Sequence, residues 1–234
     1  MTLAVSLLCA KLLQRSYDAG FIQSGSINLS DLGVTVKAVI WGEDDGVGPV
    51  AYGFISDGAA GLIATFRGTQ MPEGSPIEWL EDFKAELVAC PFAINARVHA
   101  GFLDVYKTLT AGSNIPIGQF LRTIQGPLIC CGHSLGAPLA TYAAIESLAS
   151  GLVLFASPKP GDGGLAATRN ESVQDAISYS NPNDVVPKVP ITIPEIEPFE
   201  HAVPETSVGP GNVPGDWVSS HRIQGYLSLL QSQL

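Results

Sequence analysis

Gly132, His133, Ser134, Leu135 and Gly136 form a G-x-S-x-G pentapeptide inside the run PLICCGHSLGAPLATYAAI (127–145). An apolar, strand-like run enters it and a helix-like run leaves it, the context in which this pattern presents a serine hydroxyl at a sharp corner. A serine is a weak nucleophile unaided. The chemistry therefore requires a histidine base, oriented by a carboxylate, from elsewhere in the chain. The histidines are His99, His133, His201 and His221. His133 adjoins the serine, and its side chain is expected to point elsewhere. His99 precedes the serine, whereas the nucleophile-elbow arrangement runs serine, acid, histidine. His201 and His221 both satisfy that order. His221 is favoured because it opens the last helix-like run, whose preceding loop can carry it to the elbow.

The acid is expected on a loop beyond a strand that follows the elbow. Asp184, in NPNDVVPKVP, fits that place, with Asp162 as the alternative. Asp175 opens a strand and falls at the wrong edge. Residue types alone leave open whether Asp184 is an acid or a turn residue of an Asn/Pro-rich loop.

The elements that must position these residues follow from pattern. Strands are expected over 34–41, 50–55 and 61–66, then a loop over 66–76 and a helix over 76–87. Helical patterns follow at 101–112 and 115–125. Strand 126–132 leads through the elbow to helix 135–150. Strands 152–157 and 173–180 flank a helix-like 163–171. Residues 187–215 are dense in Pro and Gly and are expected to be irregular, and 218–230 resumes a helical pattern. Strands first, then alternating helix and strand, indicate an α/β protein. Its central sheet is mostly parallel, with an antiparallel N-terminal part.

The chain has 234 residues, 46% hydrophobic and 15% charged, with a formal net charge of −10. That suits a single folded domain over 1–234 and disfavours nucleic acid or an anionic membrane surface as partner. Cys9, Cys90, Cys130 and Cys131 show no metal-ligand spacing, so no metal is expected. They read as buried thiols, with a Cys9–Cys90 bridge as the alternative. No run is long enough for a transmembrane segment. Leu3 to Ala10 lacks a basic leader and a cleavage site, so it reads as a packed first helix with Leu3, Leu7, Leu8 and Leu12 on one face, and the compartment as cytoplasmic. Nothing in the sequence sets an oligomeric state.

Six segments in order, ATFRGT (64–69), IEWLEDF (77–83), VHAGFLDVY (98–106), GHSLGA (132–137), FASPKPGD (155–162) and NPNDVVPKVP (181–190), resemble the class 3 lipases, the fungal triacylglycerol lipase-like branch of the α/β-hydrolases. FEHAVPE (199–205) and SSHRIQGY (219–226) match as well. The resemblance implies a three-layer α/β-hydrolase-like fold and a serine carboxylic ester hydrolase acting on lipid esters, with an oil–water interface as a place of action, without a cofactor. It implies Ser134 as nucleophile, Asp184 as acid and His221 as base, with His201 at a structural position. It also implies an oxyanion hole from Thr69 and the N–H of Leu135. Residues 70–90 are implied to be a lid, with Ile77, Trp79, Leu80 and Phe83 facing substrate. Phospholipase A1-like and feruloyl-esterase-like activities share the same elbow and triad, and a catalytically silent binding scaffold is the alternative of a different class. Members of the family are commonly exported, which opposes the cytoplasmic reading.

Overall fold

The structure is a computed structural model of the whole chain. It describes residues 1–44, 48–69, 86–190, 198–210 and 217–233, the side chains of Asp44 and Trp217 excepted. Residues 70–85, which hold most of the expected helix over 76–87 and the expected lid residues Ile77, Trp79, Leu80 and Phe83, lie outside the described residues.

The first helix, α1 (Leu3–Ser16), is capped by Thr2, whose side chain accepts from the Val5 N–H at 3.4 Å. Its buried stripe runs through Ser6, Cys9, Ala10, Leu13 and Ser16, together with Leu7 and Leu12. Leu3 and Leu8 are only half-buried. The expected leucine face is thus rotated, because small residues let the helix lie close to the sheet. Ser6 meets it directly, accepting from the Tyr179 hydroxyl at 3.0 Å. A short α2 (Ala19–Ser24), capped by Asp18, follows.

The strands β1 (Val34–Asp44), β2 (Gly48–Gly58) and β3 (Gly61–Phe66) form the expected antiparallel meander. A separate two-stranded ribbon joins β4 (Leu87–Ala89) to β5 (Arg97–His99). The described end of the expected 70–90 lid is therefore held in a ribbon, and Leu87, assigned to a helix from pattern, is in a strand. Next come α3 (Ala100–Thr108), the two-residue strands β6 (Thr110–Ala111) and β7 (Ile115–Pro116), and α4 (Ile117–Arg122). The helical expectation over 101–112 and 115–125 is interrupted here by a tight hairpin, in which Gly112 and Asn114 take φ of 61° and 60°.

The second half alternates as expected. Its elements are β8 (Leu128–His133), α5 (Gly136–Ser147), β9 (Gly151–Phe155), α6 (Gly163–Ser172) and β10 (Asp175–Ser180). Within the Pro-rich stretch a three-residue β11 (Glu205–Ser207) adds to the edge in parallel with β10. The chain then forms α7 (Trp217–His221) and α8 (Ile223–Gln231), where pattern suggests one helix. Arg222 breaks it with ψ of 137°.

Among the described residues the main sheet has nine strands in the order β11-β10-β9-β8-β3-β2-β1-β6-β7. The strands from β3 to β11 run parallel, and β3, β2, β1, β6 and β7 are antiparallel. Helices α1 and α8 pack together, and α1 lies on β3, β8 and β9. Helix α5 packs on the same three strands, with α3, α4 and α6 around it. All six residues of β8 and all five of β9 are buried, as strands covered on both faces must be. The result is three layers, helix–sheet–helix, around one continuous apolar core. No helix among the described residues is long and apolar enough to cross a membrane.

Candidate active site

Strand β8 ends at His133, and α5 starts at Gly136. Ser134 turns the corner between them with φ of 57°, a left-handed conformation that costs a non-glycine residue of the order of 1–3 kcal/mol. The corner is held by the Ser134 N–H donating to the Phe155 carbonyl at 3.1 Å and by the Ala137 N–H donating to the Ser134 carbonyl at 2.9 Å. The flanking glycines are required by close approach. A Cβ on Gly136 would lie 2.1 Å from the Phe66 carbonyl oxygen, and one on Gly132 would lie 2.1 Å from that of Gly136. A methyl group at either place overlaps backbone, so the elbow admits no side chain there.

The structure brings Ser134, Asp184 and His221 together. Ser134 Oγ lies 3.0 Å from His221 Nε2, and His221 Nδ1 lies 2.9 Å from Asp184 Oδ2. His221 and Asp184 are fully buried, and Ser134 is 5% exposed. A carboxylate only accepts, so Nδ1 carries the proton and donates to Asp184. In the neutral ring Nε2 is then a lone pair facing the serine hydroxyl, the tautomer a general base needs.

Asp184 is oriented from three sides. Its Oδ1 accepts from the Val186 N–H at 2.9 Å, and its Oδ2 accepts from the Tyr226 hydroxyl at 2.8 Å as well as from His221. Asn181 builds the loop that delivers it. Its side-chain oxygen accepts from the Asn183 N–H at 3.1 Å, an Asx turn, and its amide donates to the Ser220 carbonyl at 3.4 Å, next to His221. Its own N–H donates to the Tyr226 hydroxyl at 2.9 Å. The N-x-x-D segment thus ties acid loop and histidine segment together. Tyr226 is a site residue that sequence reasoning passes over; its only signal is the tyrosine five positions after His221.

The alternatives lie elsewhere. Asp162 caps α6, accepting from the Leu165 N–H at 3.0 Å, and it pairs with Arg97. His201 lies 3.4 Å from Glu205. Asp175 binds the chain's amino terminus. All four cysteines are buried free thiols, so Cys9 and Cys90 are not bridged.

Leu135 is buried and begins the first turn of α5, where backbone N–H groups have no partner within the helix. Thr69 follows Gly68, whose added Cβ would lie 2.8 Å from Ser134 Cβ. Arg67, itself buried, donates from Nη1 to the Gly68 carbonyl at 2.7 Å and from Nε to the Ala51 carbonyl at 2.8 Å. A trans peptide holds its N–H opposite its C=O, so this contact turns the Thr69 N–H away from Arg67.

Two further histidines are kept neutral by burial. His133, 3% exposed, is lowered to about 3, by burial first and by the adjacent His221 imidazole second. His99, 1% exposed, is lowered to about 4 by burial. Unfolded, both titrate near 6.5. The unfolded chain therefore binds more protons below that pH, and the stability that neutrality contributes is complete above 6.5 and lost as pH falls toward 4. The pair should cost about 3–4 kcal/mol between pH 7 and pH 5. Urea unfolding at the two pH values measures this, and equal or greater stability at pH 5 would contradict it.

A family profile for class 3 lipases matches residues 63–193. Phospholipase A1-II 4 of Oryza sativa subsp. japonica is 28% identical over 165 residues, covering 57% of this chain and 41% of the rice protein. Phospholipase A1-IIgamma of Arabidopsis thaliana is 26% identical over 207 residues, covering 73% of this chain and 48% of its own. The chain thus spans less than half the length of these relatives. Among solved structures, the mono- and diacylglycerol lipase from Aspergillus oryzae superposes with a TM-score of 0.68 at 21% identity, over 91% of this chain and 82% of the fungal one. The Rhizomucor miehei lipase propeptide complex gives 0.63 at 21% identity, over 88% and 67%. These likenesses carry the α/β-hydrolase-like fold, and the profile spans more than half of the sequence, including Ser134 and Asp184: the chain belongs to the class 3 lipase family.

Proposed function

We propose that this protein is a serine carboxylic ester hydrolase that cleaves lipid esters through an acyl-enzyme. The observation that carries the reading is the unbroken line from Ser134 Oγ through the His221 ring to Asp184 Oδ2, at 3.0 and 2.9 Å. Ser134 Oγ attacks the ester carbonyl carbon while His221 Nε2 takes its proton. That proton passes to the departing alkoxide oxygen, and the alcohol leaves. Water then attacks the acyl-serine, again giving its proton to His221, and the acid is released with Ser134 restored. Asp184 stays ionised, fixing the imidazole tautomer and stabilising the imidazolium. The N–H groups of Leu135 and Thr69 stabilise the oxyanion, each worth about 3 kcal/mol in the transition state. No step needs a cofactor. We read 1–234 as one folding unit, supported by the continuous core. A role of 70–90 as a lid remains part of the same proposal.

A phospholipase A1 activity is the second reading, favoured by the plant relatives' names. The test is a rate series over p-nitrophenyl esters from acetyl to palmitoyl, with mono- and diacylglycerol emulsions and phosphatidylcholine vesicles in parallel. Ester turnover rising on emulsified acylglycerol supports the first reading. Release of the sn-1 fatty acid from vesicles in preference to acylglycerol supports the second. No turnover on any ester by folded protein favours the silent scaffold.

A further inference from the structure

His133 does not face the serine hydroxyl. Its Nε2 lies 2.7 Å from the backbone carbonyl oxygen of His221, and its Nδ1 lies 2.6 Å from the Tyr17 hydroxyl. The His133 and His221 rings lie 4.9 Å apart at 37°. The Tyr17 oxygen also receives the Gly68 N–H at 2.8 Å.

The direction of every bond in this chain is fixed by what each group can do. A carbonyl only accepts, so His133 Nε2 must carry the proton. His133 stays neutral at any ordinary pH, so Nδ1 is a lone pair. Tyr17 must then donate to Nδ1, which leaves its oxygen free to accept from Gly68. The chain therefore runs one way, from Gly68 N–H to Tyr17 O–H to His133 to the His221 carbonyl.

Its two ends matter. One is the backbone of Gly68, whose carbonyl is held by Arg67 and whose peptide with Thr69 carries an oxyanion donor in the proposed mechanism. The other is the backbone of the proposed base. Tyr17 stands just past α1, 117 residues before Ser134 and outside the family-matched segment.

We propose that Tyr17 is a positioning residue for the reaction, its phenol locking the backbone at Gly68 and, through His133, the backbone of His221 into one geometry. The inference rests on the ester-hydrolase reading. The Tyr17 hydroxyl bonds to His133 Nδ1 and the Gly68 N–H rather than to Ser134 Oγ or the acid, so its proposed action is through the groups it orients. Positional errors of this kind penalise the transition state more than ground-state binding.

The experiment compares wild type with Tyr17→Phe, which removes one oxygen and keeps the ring. We measure kcat and KM on p-nitrophenyl butyrate, and inhibition by phenylboronic acid, which forms a tetrahedral adduct on the serine. The expected result is a 10- to 100-fold fall in kcat with KM within twofold, and a comparable weakening of the boronate. His133→Gln breaks the same chain from the other side: its amide can still donate toward the His221 carbonyl but offers Tyr17 no ring nitrogen. The double variant should be no worse than the poorer single one. Should Tyr17→Phe not fold, His133→Gln carries the test on the same kcat, KM and boronate criteria. Wild-type turnover matched within twofold by Tyr17→Phe overturns this inference alone, as does multiplication of the two losses in the double variant. A wild type that hydrolyses no ester overturns the functional reading and this inference with it.

Discussion

Ser134→Ala should lower kcat for ester hydrolysis by about a million-fold while leaving the fold intact. In the proposed mechanism the hydroxyl oxygen is the attacking atom, and the hydroxyl donates to His221 Nε2 at 3.0 Å. Without it the histidine has no proton to take and no acyl-enzyme forms. What survives is the oxyanion site and substrate binding, which can hold a residual rate about 10³–10⁴ above water. The substitution removes one atom from a corner whose φ of 57° is imposed by the elbow, so both side chains bear similar strain. The check is kcat on p-nitrophenyl butyrate, with near-ultraviolet circular dichroism to verify the native packing. A variant retaining a tenth of the rate would remove Ser134 from the mechanism.

Asp184→Asn should cost about 10⁴ in kcat, for a reason visible in the hydrogen bonds. Asp184 accepts three of them: one on Oδ1 from Val186, and two on Oδ2 from His221 and Tyr226. Asparagine has a single acceptor oxygen. With that oxygen toward the Val186 N–H, the amide NH₂ faces His221 Nδ1. The ring must then accept there and carry its proton on Nε2, pointing at the serine it should deprotonate. With the amide turned over, NH₂ meets the Val186 N–H, a buried clash of two donors. The first arrangement keeps the fold and loses the base. Its signature is a rate that recovers partly at alkaline pH, where serine ionises without help. A loss under tenfold would show that the carboxylate does not set the tautomer.

The elbow is legible in sequence because each of its demands leaves a residue-level mark. Close backbone contacts demand Gly132 and Gly136, and double burial demands the apolar runs of β8 and β9. Asp184 could be separated from Asp162 only in part by order. Yet Asp162-Gly163-Gly164-Leu165 opens a helix as an N-cap residue does, and capping is what Asp162 is used for. Other features leave no such mark. Strand β11 is three exposed residues on a sheet edge, with no apolar alternation to find. The hairpin β6–β7 has two-residue strands, too short for any period. The break at Arg222 lies between two stretches with the same helical pattern, so pattern joins what backbone separates. Tyr17 and His133 meet across 116 positions, and neither residue type nor spacing announces that contact. Tyr226 stands between: the family segment includes it, but only the fold shows that it shares Asp184 with His221.

The most direct measurement is active-site labelling with a fluorophosphonate ester, followed by mass spectrometry of the intact chain and its peptides. The account predicts one adduct per chain, on Ser134, with ester hydrolysis lost in proportion to labelling. Hydrolysis that persists in fully labelled protein, or an adduct seated on any other residue of a protein active on esters, would contradict it.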